Sequence, residues 1–245
     1  MFVKSRGIVL HTIKYNDAQI ICHVLTEQAG SVAFMVRISR SPRAAVRHTL
    51  FQPMALLELE WNQRAAGGLR HPRAVQTATP LVSIPFHPHK SAIALFLSEF
   101  LYHATRGEDP SPGLFAYIYR SVEWLDTCRG SFANFHLVFL LRLAHFLGFE
   151  PNLPTARAGY YFDLEAGSFV PDRPPHAHFV APEDAARLPL LMRMDYGTMH
   201  LFRFSGTERS RLLEQINAYY RLHIPDFPEL KSLAVLRELF SASPQ

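Results

Sequence analysis

Two early segments, 6–14 (RGIVLHTIK) and 19–26 (QIICHVLT), are apolar runs rich in β-branched side chains, the signature of strands. Between them Tyr15-Asn16-Asp17 supplies a turn. From Ser31 the pattern alternates, placing Val32, Phe34, Val36 and Ile38 on one face and Ala33, Met35 and Arg37 on the other. Gly30 just before it permits a tight reversal. The run ALLELEW sends Ala55, Leu57, Leu59 and Trp61 inward and leaves Glu58 and Glu60 to water. After Gly67-Gly68 a weaker fifth strand spans Leu69 to Gln76, and Pro72 confines it to an edge. Five short strands joined by compact turns predict a small closed or nearly closed barrel, of which the OB-fold is the usual five-stranded form.

Beyond the connector marked by Pro80, Pro85 and Pro88 the period changes to that of a helix. Ile93, Phe96, Leu97, Phe100 and Leu101 fall on one helical face. Ser111-Pro112 reads as N-cap and first helical residue of a second helix carrying Leu114, Ile118, Val122 and Leu125. A third, from about Ser131 to Leu147, is apolar nearly all round and predicts a buried central helix; Gly148 and Pro151 end it. Residues 151–204 lose the helical period and contain many Pro and Gly, with β-like pieces YYFDL and GSFVP, as in an insert. Ser205-Gly206-Thr207-Glu208 then forms a capping-box pattern ahead of another helix, and a last one begins near Leu230. The predicted class is α+β: a five-stranded OB-fold domain over 1–80, then a helical domain over 81–245 with a small irregular β-containing insert at about 151–204.

Composition narrows the function. With 245 residues, 48% hydrophobic and 12% aromatic, the chain can bury a real core, which excludes a disordered or collagen-like protein. The start MFVKSRGIVL lacks a signal-peptide pattern and no segment offers 18 uncharged apolar residues, so no membrane association is expected and the expected location is the cytoplasm, with the nucleoid. Net charge is only +4, but residues 1–80 hold ten Lys/Arg against four Asp/Glu, while the remainder holds 15 against 17. Arg37, Arg40, Arg43 and Arg47 lie in one acid-free stretch, RISRSPRAAVR. Arginine outnumbers lysine 21 to 4, and its planar fork suits phosphate pairing and base stacking. The stretch reads either as a solvated charged loop or as a phosphate-binding segment.

Little points to catalysis. His87-Pro88-His89 and His176-Ala177-His178 space two imidazoles as some metal sites do, but neither has a carboxylate or thiolate at ligand spacing in the sequence. Cys22 and Cys128 are too few for a disulfide framework or a four-thiolate zinc site, and Cys128 reads as a small buried hydrophobe. No G-x-S-x-G, Walker A or G-x-G-x-x-G pattern occurs. No cofactor, metal or catalytic residue is therefore expected. A basic barrel binds single strands by tracking phosphates with Arg and Lys while rings or guanidinium planes stack on bases. Lys4, Arg6 and Lys14 bracket the first strand, and Arg37, Arg40, Arg43 and Arg47 follow the third; these seven are the candidate DNA contacts.

An ordered series of short pieces resembles the RecO recombination-mediator family of bacterial DNA repair. It runs from Gly7-Ile8-Val9-Leu10, Tyr15, Leu25-Thr26-Glu27 and Gly30 through the basic stretch to Phe51-Gln52-Pro53 and Leu56-Leu57-Glu58-Leu59-Glu60. It continues with Ser98-Glu99-Phe100-Leu101, Leu141-Arg142-Leu143, Leu147-Gly148-Phe149-Glu150-Pro151, Leu230-Lys231-Ser232-Leu233 and Leu236-Arg237-Glu238-Leu239. The resemblance implies binding of single-stranded and possibly double-stranded DNA, strand annealing, and cooperation with RecR to load RecA on DNA covered by the single-strand-binding protein SSB. The alternative is a protein–protein adaptor whose OB-fold does not bind DNA. Many members carry a four-cysteine zinc module after the Gly-Phe-x-Pro segment. Residues 152–204 here contain no cysteine, so packing of Tyr160, Tyr161, Phe162, Phe169 and Phe179 is expected to hold the insert. For an SSB tail, acidic with a terminal Phe, the expected slot lies along Ile93–Leu101 and Phe139–Leu147 with Arg120, Arg129 or Arg142 at its edge.

Overall fold

A computed structural model describes residues 2–38, 49–63 and 68–242. Packing divides the chain into two compact units, Met1–Thr127 with Leu230–Leu239, and Cys128–Glu229 with Phe240–Gln245.

The first unit opens with a sheet of β1 (Phe2–Asn16), β2 (Gln19–Thr26), β3 (Gly30–Arg37), β4 (Leu56–Asn62), β5 (Leu69–Arg70) and β6 (Pro72–Thr79). Its order is β5-β3-β2-β1-β4-β6, antiparallel except for the β3–β5 pair. Alternation sends Val9, Cys22, Val24, Phe34, Leu57 and Trp61 into one apolar core, where Phe34 meets Trp61 edge to face at 5.3 Å. Gly7 is required there: a Cβ would lie 2.6 Å from Val24 Cγ1 and 2.7 Å from Leu59 Cδ1.

The sheet corrects the expectation of five strands closing into a barrel. The fifth run breaks at His71-Pro72, because proline has no N–H to give a ladder. Its first piece pairs with β3 and its second with β4, giving six strands and a ladder that does not close. Only His71 separates those two edge strands in the chain, so one short link joins the two edges of the sheet. This is OB connectivity with a gap in the hydrogen bonding.

Two helices, α1 (Pro88–Ala104) and α2 (Pro112–Thr127), complete the packing of this unit. As expected, Ser111 caps α2, accepting from the Leu114 N–H at 3.3 Å, and Ile93, Phe96, Phe100 and Leu101 are buried. Tyr102 of α1 stacks on His11 of β1 at 4.8 Å and meets His23 of β2 edge-on at 4.8 Å. The Asp126 carboxylate accepts the N–H groups of Val82, Ser83 and Ile84, each at 2.8 Å, and so fixes the connector from the sheet to the helices.

The second unit is centred on α3 (Phe135–Phe146), buried from Phe135 to Ala144 except at Arg142. Gly148, at φ +82°, ends it in the left-handed conformation. Short helices α4 (Pro182–Ala185) and α5 (Leu188–Leu191) precede α6 (Gly206–His223), whose capping box is formed by Ser205 and Glu208. Tyr220 of α6 donates to the Leu140 carbonyl at 2.7 Å, tying α6 to α3. The C-terminal helix α7 (Ser232–Ala242) begins within the first unit, where Glu99 accepts the N–H groups of Lys231 and Ser232 at 3.1 and 2.8 Å. The insert forms a small sheet, β8 (Ser168–Val170), β7 (Tyr161–Asp163) and β9 (Phe179–Val180) in that order. Aromatic packing accompanies it: Phe162 meets Phe169 at 5.1 Å and Tyr161 meets Phe179 at 5.5 Å, with Phe162 and Phe169 buried.

Candidate nucleic-acid interface

The cations proposed from sequence do not share one environment. Lys4 pairs with Glu58 at 3.0 Å and Lys14 with Asp17 at 2.8 Å, both on the surface. Arg6 forms a two-pronged bond to Glu27, at 3.0 and 2.7 Å, and its guanidinium lies 4.9 Å from the Tyr119 ring centre. This pairing holds the Glu27 carboxyl below its usual range. Arg6 therefore joins β1 to α2, a role its place among the basic residues did not reveal. Arg37 differs: it is exposed at the end of β3 and makes no ion pair among the described residues. Arg40, Arg43 and Arg47 lie outside the described residues.

Register sets what surrounds Arg37. Ile20, Cys22, Phe34 and Val36 point into the core, so Ile13, Ile21 and Met35 point to the opposite face, where Ile13 pairs with Ile21 and Ile21 with Met35. Arg37, paired with Gln19, stands one row further on that face. Met35 and Arg37 also line a cleft of about 490 Å³, together with Phe51, His71 and Arg73. Arg73 pairs with Glu60 at 3.1 Å and covers the Phe2 ring at 4.9 Å. His71 and Arg73 were not among the candidates taken from sequence; Arg73 lies on β6 and His71 is the link between β5 and β6.

Of the apolar residues expected to line a peptide slot, Phe96, Leu97, Phe100 and Leu101 of α1 and Phe139 to Leu143 of α3, Arg142 apart, are buried in their own units, whereas Leu95 and Phe146 are exposed. Ala94 and Leu95 line a cleft of about 730 Å³ in the first unit, with Leu50, Leu57 and Phe86. Arg120 is exposed on α2 of the first unit, while Arg129 and Arg142 are exposed in the second. The second unit does hold an apolar cavity of about 60 Å³ among Leu141, Phe162, Leu191, Ile216 and Tyr220. Asp184 lies at its edge and pairs with Arg211.

One histidine pair gains carboxylate neighbours that spacing in the chain does not supply. Folding brings Asp163 and Glu165 to His176, at 3.4 and 3.6 Å, although both are more than ten positions away in the chain. Among the described residues no group of three or more His, Cys, Asp or Glu is arranged to hold a metal. Cys22 is buried among apolar side chains, which pushes its thiol up to about 12; Cys128 is half-buried. No helix among the described residues is long and apolar enough to cross a membrane.

An N-terminal sheet of OB order followed by a helical body defines the class: an α+β protein with a basic, strand-rich N-terminal third. Comparison refines it. Residues 1–80 match the family model for Recombination protein O N terminal, and residues 85–234 the model for Recombination protein O C terminal. The chain is 53% identical over 241 residues to the DNA repair protein RecO of Bacteroides fragilis and 49% identical over 241 to that of Phocaeicola vulgatus. It is 33% identical over 244 residues to the DNA repair protein RecO of Porphyromonas gingivalis; in all three comparisons 98% of this chain and 100% of the relative are covered. The chain belongs to the RecO family.

Proposed function

We propose that the protein is a non-enzymatic mediator of DNA repair. In this reading residues 1–80 are the nucleic-acid-binding module; the protein binds DNA, anneals complementary single strands, and acts with RecR to promote RecA loading on SSB-covered single strands. Family membership and the names of its relatives support a role in DNA repair. The observation that carries DNA binding is Arg37, an exposed cation without an ion pair among the described residues, at the head of an acid-free arginine stretch. For the SSB tail, the candidate cations remain Arg120, Arg129 and Arg142, all exposed. No step of this activity makes or breaks a covalent bond. The pairing of Lys4, Arg6 and Lys14 with acids favours a second reading, an adaptor whose sheet does not bind DNA.

A salt titration of binding to a labelled oligonucleotide separates the two. Replacing Arg37, Arg40 and Arg43 by Gln lowers the affinity across sequences and flattens the salt dependence, by up to about 0.7 in slope for each lost phosphate contact. An unchanged slope in the folded triple variant shows that DNA lies elsewhere, and absence of binding by the unaltered protein supports the adaptor.

A further inference from the structure

The cleft of about 730 Å³ beside α1 is bounded by the segment Leu50–Pro53, the start of β4, the end of β6 and the connector that leads into α1. Among the described residues its lining carries no Lys, Arg, His, Asp or Glu; its polar members are Thr, Gln and Ser alone. Phe86 belongs to that lining and is 81% exposed, and Val82, in the same connector, is 69% exposed. Neither stands on a loose loop. The Val82 N–H donates to the Asp126 carboxylate at 2.8 Å, and the N–H groups of Phe86 and His87 donate to the Ser83 carbonyl at 3.1 and 3.0 Å. Ser91, in the first turn of α1, donates to the Ile84 carbonyl and ties the connector to the helix. A ring held in water on a fixed turn carries a free-energy cost that burial removes.

We propose that two copies of the chain meet at this face about a two-fold axis, the Phe86 ring of each entering the cleft of the other beside Leu50 and Leu95. Three observations select a second copy as the occupant. The patch carries both the cleft and the fixed ring that fills it, which is the self-complementarity an isologous contact requires. A two-fold axis sets residues near it against their own copies, so a charged group there meets a like charge; this lining has none among the described residues. The same lack of charge removes a phosphate backbone, or an acidic or basic peptide, as occupant, because their charges would be buried without partners. A ring already pinned by the connector also loses little freedom on contact. In the proposed reading of residues 1–80 as the nucleic-acid module, a pair brings two such modules into one assembly, as annealing two strands asks. The association itself does not depend on that reading.

Sedimentation equilibrium of the full-length protein, without DNA, tests this. The weight-average mass is expected to climb from 27.9 kDa toward twice that value across micromolar concentrations. Phe86→Asp places like charges about the axis and is expected to raise the dimer dissociation constant about tenfold or more, the loss of a central anchor. Phe86→Leu, which keeps an apolar side chain, costs less. Leu201→Asp, at a position 67% exposed in the second unit, leaves the association unchanged. Thermal unfolding establishes that these exposed substitutions leave the fold intact. A mass of 27.9 kDa at every concentration overturns the proposal, and is the result expected if the cleft receives a different protein. A dimer that Phe86→Asp leaves intact, or that Leu201→Asp weakens as much, overturns it too. DNA binding by a chain that stays monomeric leaves the repair reading standing, so the two failures are distinct.

Discussion

Asp126 shows how much one side chain can organise. Its carboxylate gathers three successive N–H groups of the connector, and Lys90, itself buried, donates to Ser83 Oγ at 2.8 Å and to the Asp126 carbonyl at 3.2 Å. Burial by itself raises the carboxyl's pKa, but the N–H groups of Ile84, Val82 and Ser83 together with Lys90 outweigh it and hold the group below its usual range. Asp126→Asn keeps the shape and removes the charge. The expected cost is about 1–3 kcal/mol, measured by urea unfolding, as for hydrogen bonds to a charged group. A loss under about 0.5 kcal/mol contradicts this role. None of this was legible in the sequence, because the N–H groups that the Asp126 carboxylate gathers lie more than forty positions away. Arg6 teaches the same lesson: its basic character was plain, but Glu27 and Tyr119 decide what it does.

Elements were easier to read than partners. Alternation over Ser31–Ile38 and Ala55–Trp61, and the 3.6 period after Pro88, describe local burial that the chain itself encodes. The broken last strand was half legible: Pro72 signalled an edge, but pairing with β3 on one side of His71 and β4 on the other is a tertiary outcome. The packing of α1 on the sheet leads to a pH dependence. Burial lowers the pKa of His11, His23 and His103, and His11 and Arg106 lower the latter two further; among the described residues acting on them only Glu99 opposes this, at His11 and His103. A histidine whose folded pKa is depressed favours the neutral form, so its stability contribution is complete above the unfolded value near 6.5 and is lost as pH falls through the folded value. The thermal midpoint is therefore expected to fall as pH drops below about 6.5, and less steeply in the His11→Gln, His23→Gln double variant. Identical pH profiles for the two proteins would show that these rings do not carry the dependence.

At the scale of the whole molecule, composition and charge located the basic third, and the order of weak local patterns led to the family that comparison then established. What stayed hidden was division by packing. The sheet and its first two helices form one unit, although the family models divide the chain between residues 80 and 85. Much of the apolar surface of α1 and α3 is consumed by folding, and Leu95 and Phe146 are what stays exposed of it.

In the proposed reading DNA is held by the outer face of β1–β3 and the arginine stretch that follows it in sequence. Amide hydrogen exchange of the full-length protein, with and without a single-stranded oligonucleotide, tests this most directly. The account predicts slowed exchange in peptides covering residues 11–37, and exchange unaltered by DNA in the insert at 151–204. Protection confined to the second unit, with residues 11–37 unaffected at saturating oligonucleotide, would contradict it.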